Sequence, residues 1–87
     1  MITVTTKEDL LKSLTITEHA IVDFWAEWCG PCKTLAPALE ELDSVRDDVT
    51  IIKINVDKAP ALAAEYGIRG IPTLMAYKDG LHVNTSV

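Results

Sequence analysis

Cysteine is scarce: Cys29 and Cys32 are the only two among 87 residues. Two thiols are too few to staple a small secreted domain and too few for a four-ligand zinc site. His19 and His82 are distant in sequence, so histidine does not complete a zinc set. Positive charge is also in short supply. Eight lysines and arginines stand against 13 aspartates and glutamates, a net charge of −5, and no basic face is visible. A nucleic-acid module would ordinarily show one. Long hydrophobic runs are missing. Uncharged apolar runs such as Ala20 to Val22 and Phe24 to Ala26 fall far short of the ~20 residues that cross a membrane. The start of the chain turns polar and acidic by Lys7-Glu8-Asp9, without the charged opening and apolar stretch of a secretion signal. The expected compartment is therefore a reducing cytoplasm. Aromatics are only 6% of the chain against 48% for all hydrophobic residues, so the core has to be aliphatic and a disordered tail is excluded.

What is present reads as one domain over residues 1–87, with no repeat, linker or low-complexity segment. A chain this short buries about 60% of its unfolded surface, so its core has little to spare. Ile2 to Thr5 is a short strand candidate, and Thr6 can cap the helix that follows, with Asp9 as a weak capping-box partner. Leu10, Leu11 and Leu14 form its apolar stripe. Ala20 to Ala26 is nearly continuous in apolar character, as in a strand covered on both faces, with Asp23 as its one charge. A helix is predicted from about Cys29 to Arg46, with Leu35, Leu39 and Leu42 inward and Pro37 kinking it without ending it. Val49 to Val56 is β-branched and reads as a strand. Pro60 opens a helix in which Leu62, Ala63 and Tyr66 share a face, and Gly67 stops it. Thr73 to Lys78 and Leu81 to Val87 are strands joined by Lys78-Asp79-Gly80, a strong hairpin signal. The order βαβαβαββ predicts an α/β fold: a mixed sheet of parallel strands plus an antiparallel C-terminal hairpin, flanked by helices.

Trp28-Cys29-Gly30-Pro31-Cys32-Lys33 follows the buried strand and opens a helix. Free N–H groups and the positive end of the helix dipole favour a thiolate there, so Cys29 is expected to have a lowered pKa and to be nucleophilic near neutral pH. Cys32 lies one turn on, within disulfide reach. Such a pair can attack a foreign disulfide through Cys29, and Cys32 can resolve the mixed disulfide. A purely structural disulfide would close too short a loop to stabilise much. Asp23, costly in a buried strand, suits a carboxyl with a raised pKa that moves a proton to or from Cys32, and Lys53 on the next strand could pair with it. The bland alternative for Asp23 is an edge or solvated carboxylate. Ile71-Pro72 can be an ordinary strand boundary, or a cis bond beside the cysteines that frees the Ile71 backbone to pair with an extended substrate.

Together these residues resemble the thioredoxin family, whose general signature is a Cys-x-x-Cys pair beside a βαβ pattern. Val22 to Lys33 resembles the family's active-site strand and helix start, Leu35-Ala36-Pro37 its kinked helix, and Lys53 to Asp57 its third strand. Tyr66 to Leu74 is similar to its cis-proline segment, and Lys78-Asp79-Gly80 to its hairpin. The resemblance implies a thioredoxin fold and a protein-disulfide reductase. Cys29 would attack, Cys32 resolve, and Asp23 and Lys53 form the proton-transfer pair. Trp28, Gly30, Pro31, Gly70, Ile71 and Pro72 would dock partners. It implies no cofactor and no metal, recharging by an NADPH-dependent thioredoxin reductase, and disulfide substrates such as ribonucleotide reductase. The Gly-Pro dipeptide between the cysteines resembles reducing members and opposes an oxidase or isomerase.

The resemblance also implies a further, fourth helix after the last strand, which residues 81–87 do not reach. In Leu81 to Val87 strict alternation puts Leu81, Val83, Thr85 and Val87 on one side and His82, Asn84 and Ser86 on the other. The polar side is one adaptation to a missing helix; an ordinary amphipathic edge strand is the other reading. A second copy or a partner covering the sheet is a third. A non-enzymatic binding subunit that uses the same surface without its thiols is the alternative function.

Overall fold

The computed structural model describes residues 1–87. In chain order it has β1 (Ile2–Thr3), α1 (Lys7–Thr15), β2 (His19–Trp25), α2 (Gly30–Val45), β3 (Val49–Asn55), α3 (Pro60–Glu65), β4 (Thr73–Lys78) and β5 (Leu81–Ser86). The local signals act as expected. Thr6 Oγ1 accepts the Asp9 N–H at 3.2 Å and caps α1. Helix α2 runs unbroken through Pro37, which sits on its exposed side. Gly67 takes a φ of 68° just past α3, and Asp79 and Gly80 both have positive φ between β4 and β5, as a tight type I′ hairpin requires.

The five strands form one mixed sheet in the order β1-β3-β2-β4-β5. Strands β1, β3 and β2 are parallel, while β4 is antiparallel to β2 and β5 antiparallel to β4. The strand–helix–strand reading of β3-α3-β4 as a parallel unit is therefore corrected. Helix α3 has six residues, a length of about 9 Å. A seven-residue strand is about 23 Å long. So short a helix does not carry the chain back to the far end of the sheet, and β4 enters from the end where β2 and β3 finish. That places Pro72 beside the start of α2.

Alternation in the strands divides the sheet into two faces. Val22, Phe24, Ile52 and Ile54 join Leu10 and Leu14 of α1, Leu62 of α3 and Tyr77 of β4 in the main core. Leu11, expected in the stripe, is 47% exposed, since α1 needs only its 10/14 edge to reach the sheet. Helix α2 packs on the opposite face, over β3, with Leu39 buried and Leu35 and Leu42 half-buried. Asp23, Trp25 and Lys53 alternate with the core residues and so belong to this α2 face.

Strand β5 does not keep the strict alternation. Tyr77 pairs with His82, but Ala76 pairs with Asn84, so Val83 is a bulged extra residue. Directly paired residues share a face. His82 and Asn84 therefore lie on opposite faces, and the single polar side read from sequence does not exist. His82 instead shares a face with Thr85, its Nε2 lying 2.6 Å from Thr85 Oγ1, and its ring meets the edge of Tyr77 at 5.5 Å. All of β5 is exposed.

Candidate active site

The buried strand β2 ends at Trp25, and Ala26 to Trp28 turns the chain into α2. Cys29 is the N-cap of α2: its Sγ accepts the Cys32 N–H at 3.2 Å, occupying one of the donors that the first turn leaves free. Pro31 loses no hydrogen bond in this turn. No acidic residue occupies it, so nothing within the turn offsets the positive end of the helix dipole at the sulfur atoms. Cys29 and Cys32 are joined as a disulfide, their Cα atoms 5.3 Å apart. Both are nearly buried, in a small apolar cluster with Ala26 that Trp25, Val56 and Ile71 close. Exposure therefore does not distinguish the two cysteines, but Cys29 Sγ alone takes the capping hydrogen bond.

The Ile71–Pro72 peptide is cis. Cys29 Sγ lies 3.7 Å from the Ile71 carbonyl oxygen, which brings the two motifs into contact across 42 residues. Ile71 enters no backbone–backbone hydrogen bond, so its N–H and C=O have no main-chain partner and can pair with an extended segment laid beside the sulfur. Gly30, Pro31 and Gly70 are exposed around it. Trp28 is 68% exposed, yet its indole is held, because Nε1 donates to Asp57 Oδ2 at 2.8 Å. Trp28, Val56, Ala63, Ile68, Arg69 and Ile71 line an open, mostly apolar groove of about 290 Å³. Sequence reasoning named Trp28, Gly70 and Ile71 here but assigned no role to Asp57, Val56, Ile68 or Arg69. Asp57 follows β3, and only the parallel register of β2 and β3 brings it to Trp28.

Asp23 is 4% exposed, and its Oδ1 has no hydrogen-bond partner. Burial raises its pKa above the ordinary 3.8, and the Lys53 charge opposes this in part. The expected direct pairing with Lys53 is not made. Lys53 stands beside Asp23 in the register, but its Nζ lies 4.4 Å from the centre of the Trp25 ring. A carboxylate competes for the ammonium from the adjacent strand, and the indole face wins it.

The raised pKa makes stability depend on pH. The folded chain holds the Asp23 proton more tightly than the unfolded chain does. The resulting stabilisation is complete below about pH 4 and is lost as pH rises through the raised value. Asp23→Asn, of similar shape and without a charge, should match the parent near pH 4. It should exceed the parent by about 1–3 kcal/mol at pH 8, the scale of an unsatisfied buried group. Urea unfolding at the two pH values measures this; an advantage that is largest at low pH would refute the assignment.

With this geometry in place, comparison with known proteins is consistent throughout. The thioredoxin family model matches residues 1–87. The chain is 52% identical over 82 residues to thioredoxin of Rhodospirillum rubrum, covering 93% of this chain and 76% of that one. It is 46% identical over 84 residues to thioredoxin 1 of Synechococcus elongatus, covering 95% and 76%. Among solved structures, oxidised mitochondrial thioredoxin 3 of Saccharomyces cerevisiae superposes with a TM-score of 0.93 at 30% identity, covering 100% of this chain and 82% of that one. A mutant thioredoxin of Halobacterium salinarum gives 0.92 at 38% identity, covering 99% and 75%.

Proposed function

The chain belongs to the thioredoxin family and is a thiol–disulfide oxidoreductase, and from that premise we propose how its residues divide the work. Cys29 attacks and Cys32 resolves. The reduced chain presents Cys29 as a thiolate at the N-cap of α2. The thiolate attacks one sulfur of a protein disulfide, forming a Cys29–substrate disulfide and releasing the other substrate sulfur as a thiolate that takes up a proton. Cys32 then gives up its proton, and its sulfur attacks Cys29 Sγ. The Cys29–Cys32 disulfide forms and the second substrate sulfur leaves. The second substrate sulfur also leaves as a thiolate. The substrate gains the two electrons that the cysteines lose. Of the two protons its sulfurs take up, one balances the proton given up by Cys32 and the other comes from solvent, since Cys29 reacts already ionised. Asp23, unpaired in the sheet below and ionised before the step, takes the Cys32 proton in the second step, with Lys53 as the nearby charge that steadies the carboxylate until it is protonated.

The observation that carries this reading is the contact of Cys29 Sγ with both the Cys32 N–H and the Ile71 carbonyl. One sulfur is thus stabilised by the helix start and placed at the free backbone where a substrate strand can lie. Trp28, Gly30, Pro31, Gly70, Ile71 and Pro72 make the docking surface, with the apolar groove beside Trp28 taking a substrate side chain. Residues 1–87 act as one domain. An NADPH-dependent thioredoxin reductase returns the electrons, and cytoplasmic disulfide proteins such as ribonucleotide reductase receive them. Insulin tests the function directly. With dithiothreitol or a thioredoxin reductase as donor, the chain should accelerate insulin precipitation in proportion to its concentration; a rate no higher than the donor alone defeats the reading.

A further inference from the structure

Strand β2 carries Asp23 and Trp25 two residues apart, on the face that looks toward α2. The register of β3 sets Lys53 on that face beside Asp23. A carboxyl, an ammonium and an indole thus share one patch of sheet. The ammonium could lie on either neighbour, and its place over the indole leaves Asp23 Oδ1 buried without a partner. Indole is the aromatic face that holds a cation best. No other charge substitutes for Lys53. The β4 residue opposite Asp23 is Leu74. On α2, Lys33, Glu40 and Glu41 are exposed and the half-buried Asp43 pairs with the N-terminal ammonium at 3.2 Å, and α1 and α3 cover the other face. His19 and Lys78 share this face at its far end, four residues along β2 from Asp23, and the Cys29 and Cys32 thiols of the reduced chain lie at its near end.

We propose that Trp25 is a positioning residue: its indole face holds the Lys53 ammonium off the Asp23 carboxyl, which keeps that carboxyl unpaired and able to exchange a proton with Cys32. The consequence for catalysis rests on the proton-transfer role of Asp23, while the hold on Lys53 does not. Were the ammonium to move onto the carboxyl, the ionised form would be favoured and Asp23 would give up its proton at lower pH. Trp25 thereby sets the pH range over which Asp23 can act.

The test follows Asp23 by carbon NMR of its carboxyl across pH, in oxidised and reduced protein. The pH profile of kcat/KM for insulin reduction is measured alongside. Trp25→Leu should lower the Asp23 midpoint by about 1 pH unit, the lower end of the effect of an opposite charge at close range. Trp25→Phe, with a weaker ring for cations, should lower it by less. In a Lys53→Met background the same Trp25 changes should move it by less than a third as much. A midpoint that stays put or rises in Trp25→Leu overturns the proposal. So does an equal shift with and without Lys53, which is the signature of water entering the gap. If Trp25→Leu does not fold, Trp25→Phe in the two Lys53 backgrounds decides by the same criterion. A midpoint that moves as expected while the rate profile stays fixed upholds the hold on Lys53 and removes Asp23 from proton transfer.

Discussion

Cys29→Ser is expected to bring insulin reduction down to the rate of the donor alone, a loss of at least about a thousandfold in kcat/KM. The reason lies in one atom. Cys29 Sγ accepts the Cys32 N–H at the start of α2 and faces the Ile71 carbonyl. A serine hydroxyl would keep the cap, because serine is a favoured N-cap residue. It would lose the reaction, since a hydroxyl is not ionised near neutral pH and forms no bond to sulfur that Cys32 could resolve. The variant should therefore be folded and inert. Cys32→Ser should behave differently: attack by Cys29 proceeds, resolution fails, and a substrate-linked species accumulates that a reducing agent releases. Non-reducing electrophoresis reads that species by its mass. If trapping occurred in Cys29→Ser and not in Cys32→Ser, the two roles would be reversed. If the parent failed to reduce insulin but both variants bound a partner as the parent does, the docking surface would be acting without its thiols.

Much of this site is legible in sequence because its determinants are local. The start of α2 is written in Cys29-Gly30-Pro31, and its end at Val45 falls within a residue of the Arg46 expected. Gly67 and Asp79-Gly80 mark positions where a positive φ is needed, and the structure has it at each. The less legible features depend on partners far along the chain. The antiparallel entry of β4 follows from the shortness of α3, which periodicity does not measure. The bulge at Val83 appears only when β5 is laid against β4, and it exchanges the face of every residue after it. Asp57 reaches Trp28 across 29 residues. Lys53 was legible as an apolar-flanked cation near Asp23, but the choice between carboxylate and indole is made by side-chain geometry on a shared face.

The largest loss of stability is expected at Phe24. Its side chain is fully buried at the centre of the main core, on the middle strand of the sheet, with its ring 5.9 Å from that of Tyr66. Phe24→Ala removes the largest of the fully buried side chains. Such truncations cost about 3–5 kcal/mol, because transfer energy is lost and a cavity remains. A chain of 87 residues has a total of only about 4–13 kcal/mol, at ~0.05–0.15 per residue. The change should therefore remove a quarter or more of the stability and lower Tm by at least about 12 °C. The cost should be alike in the oxidised and reduced chains, because Phe24 faces α1 and α3 while the cysteines belong to a separate cluster. Val83→Ala is the control: Val83 is 61% exposed on the edge strand, and its loss should stay within about 0.5 kcal/mol. Urea unfolding of both variants in both redox states makes the comparison. A Phe24→Ala cost below about 1 kcal/mol, or one that differs strongly between redox states, would mean that the core on the α1 and α3 side does not carry the fold independently of the dithiol.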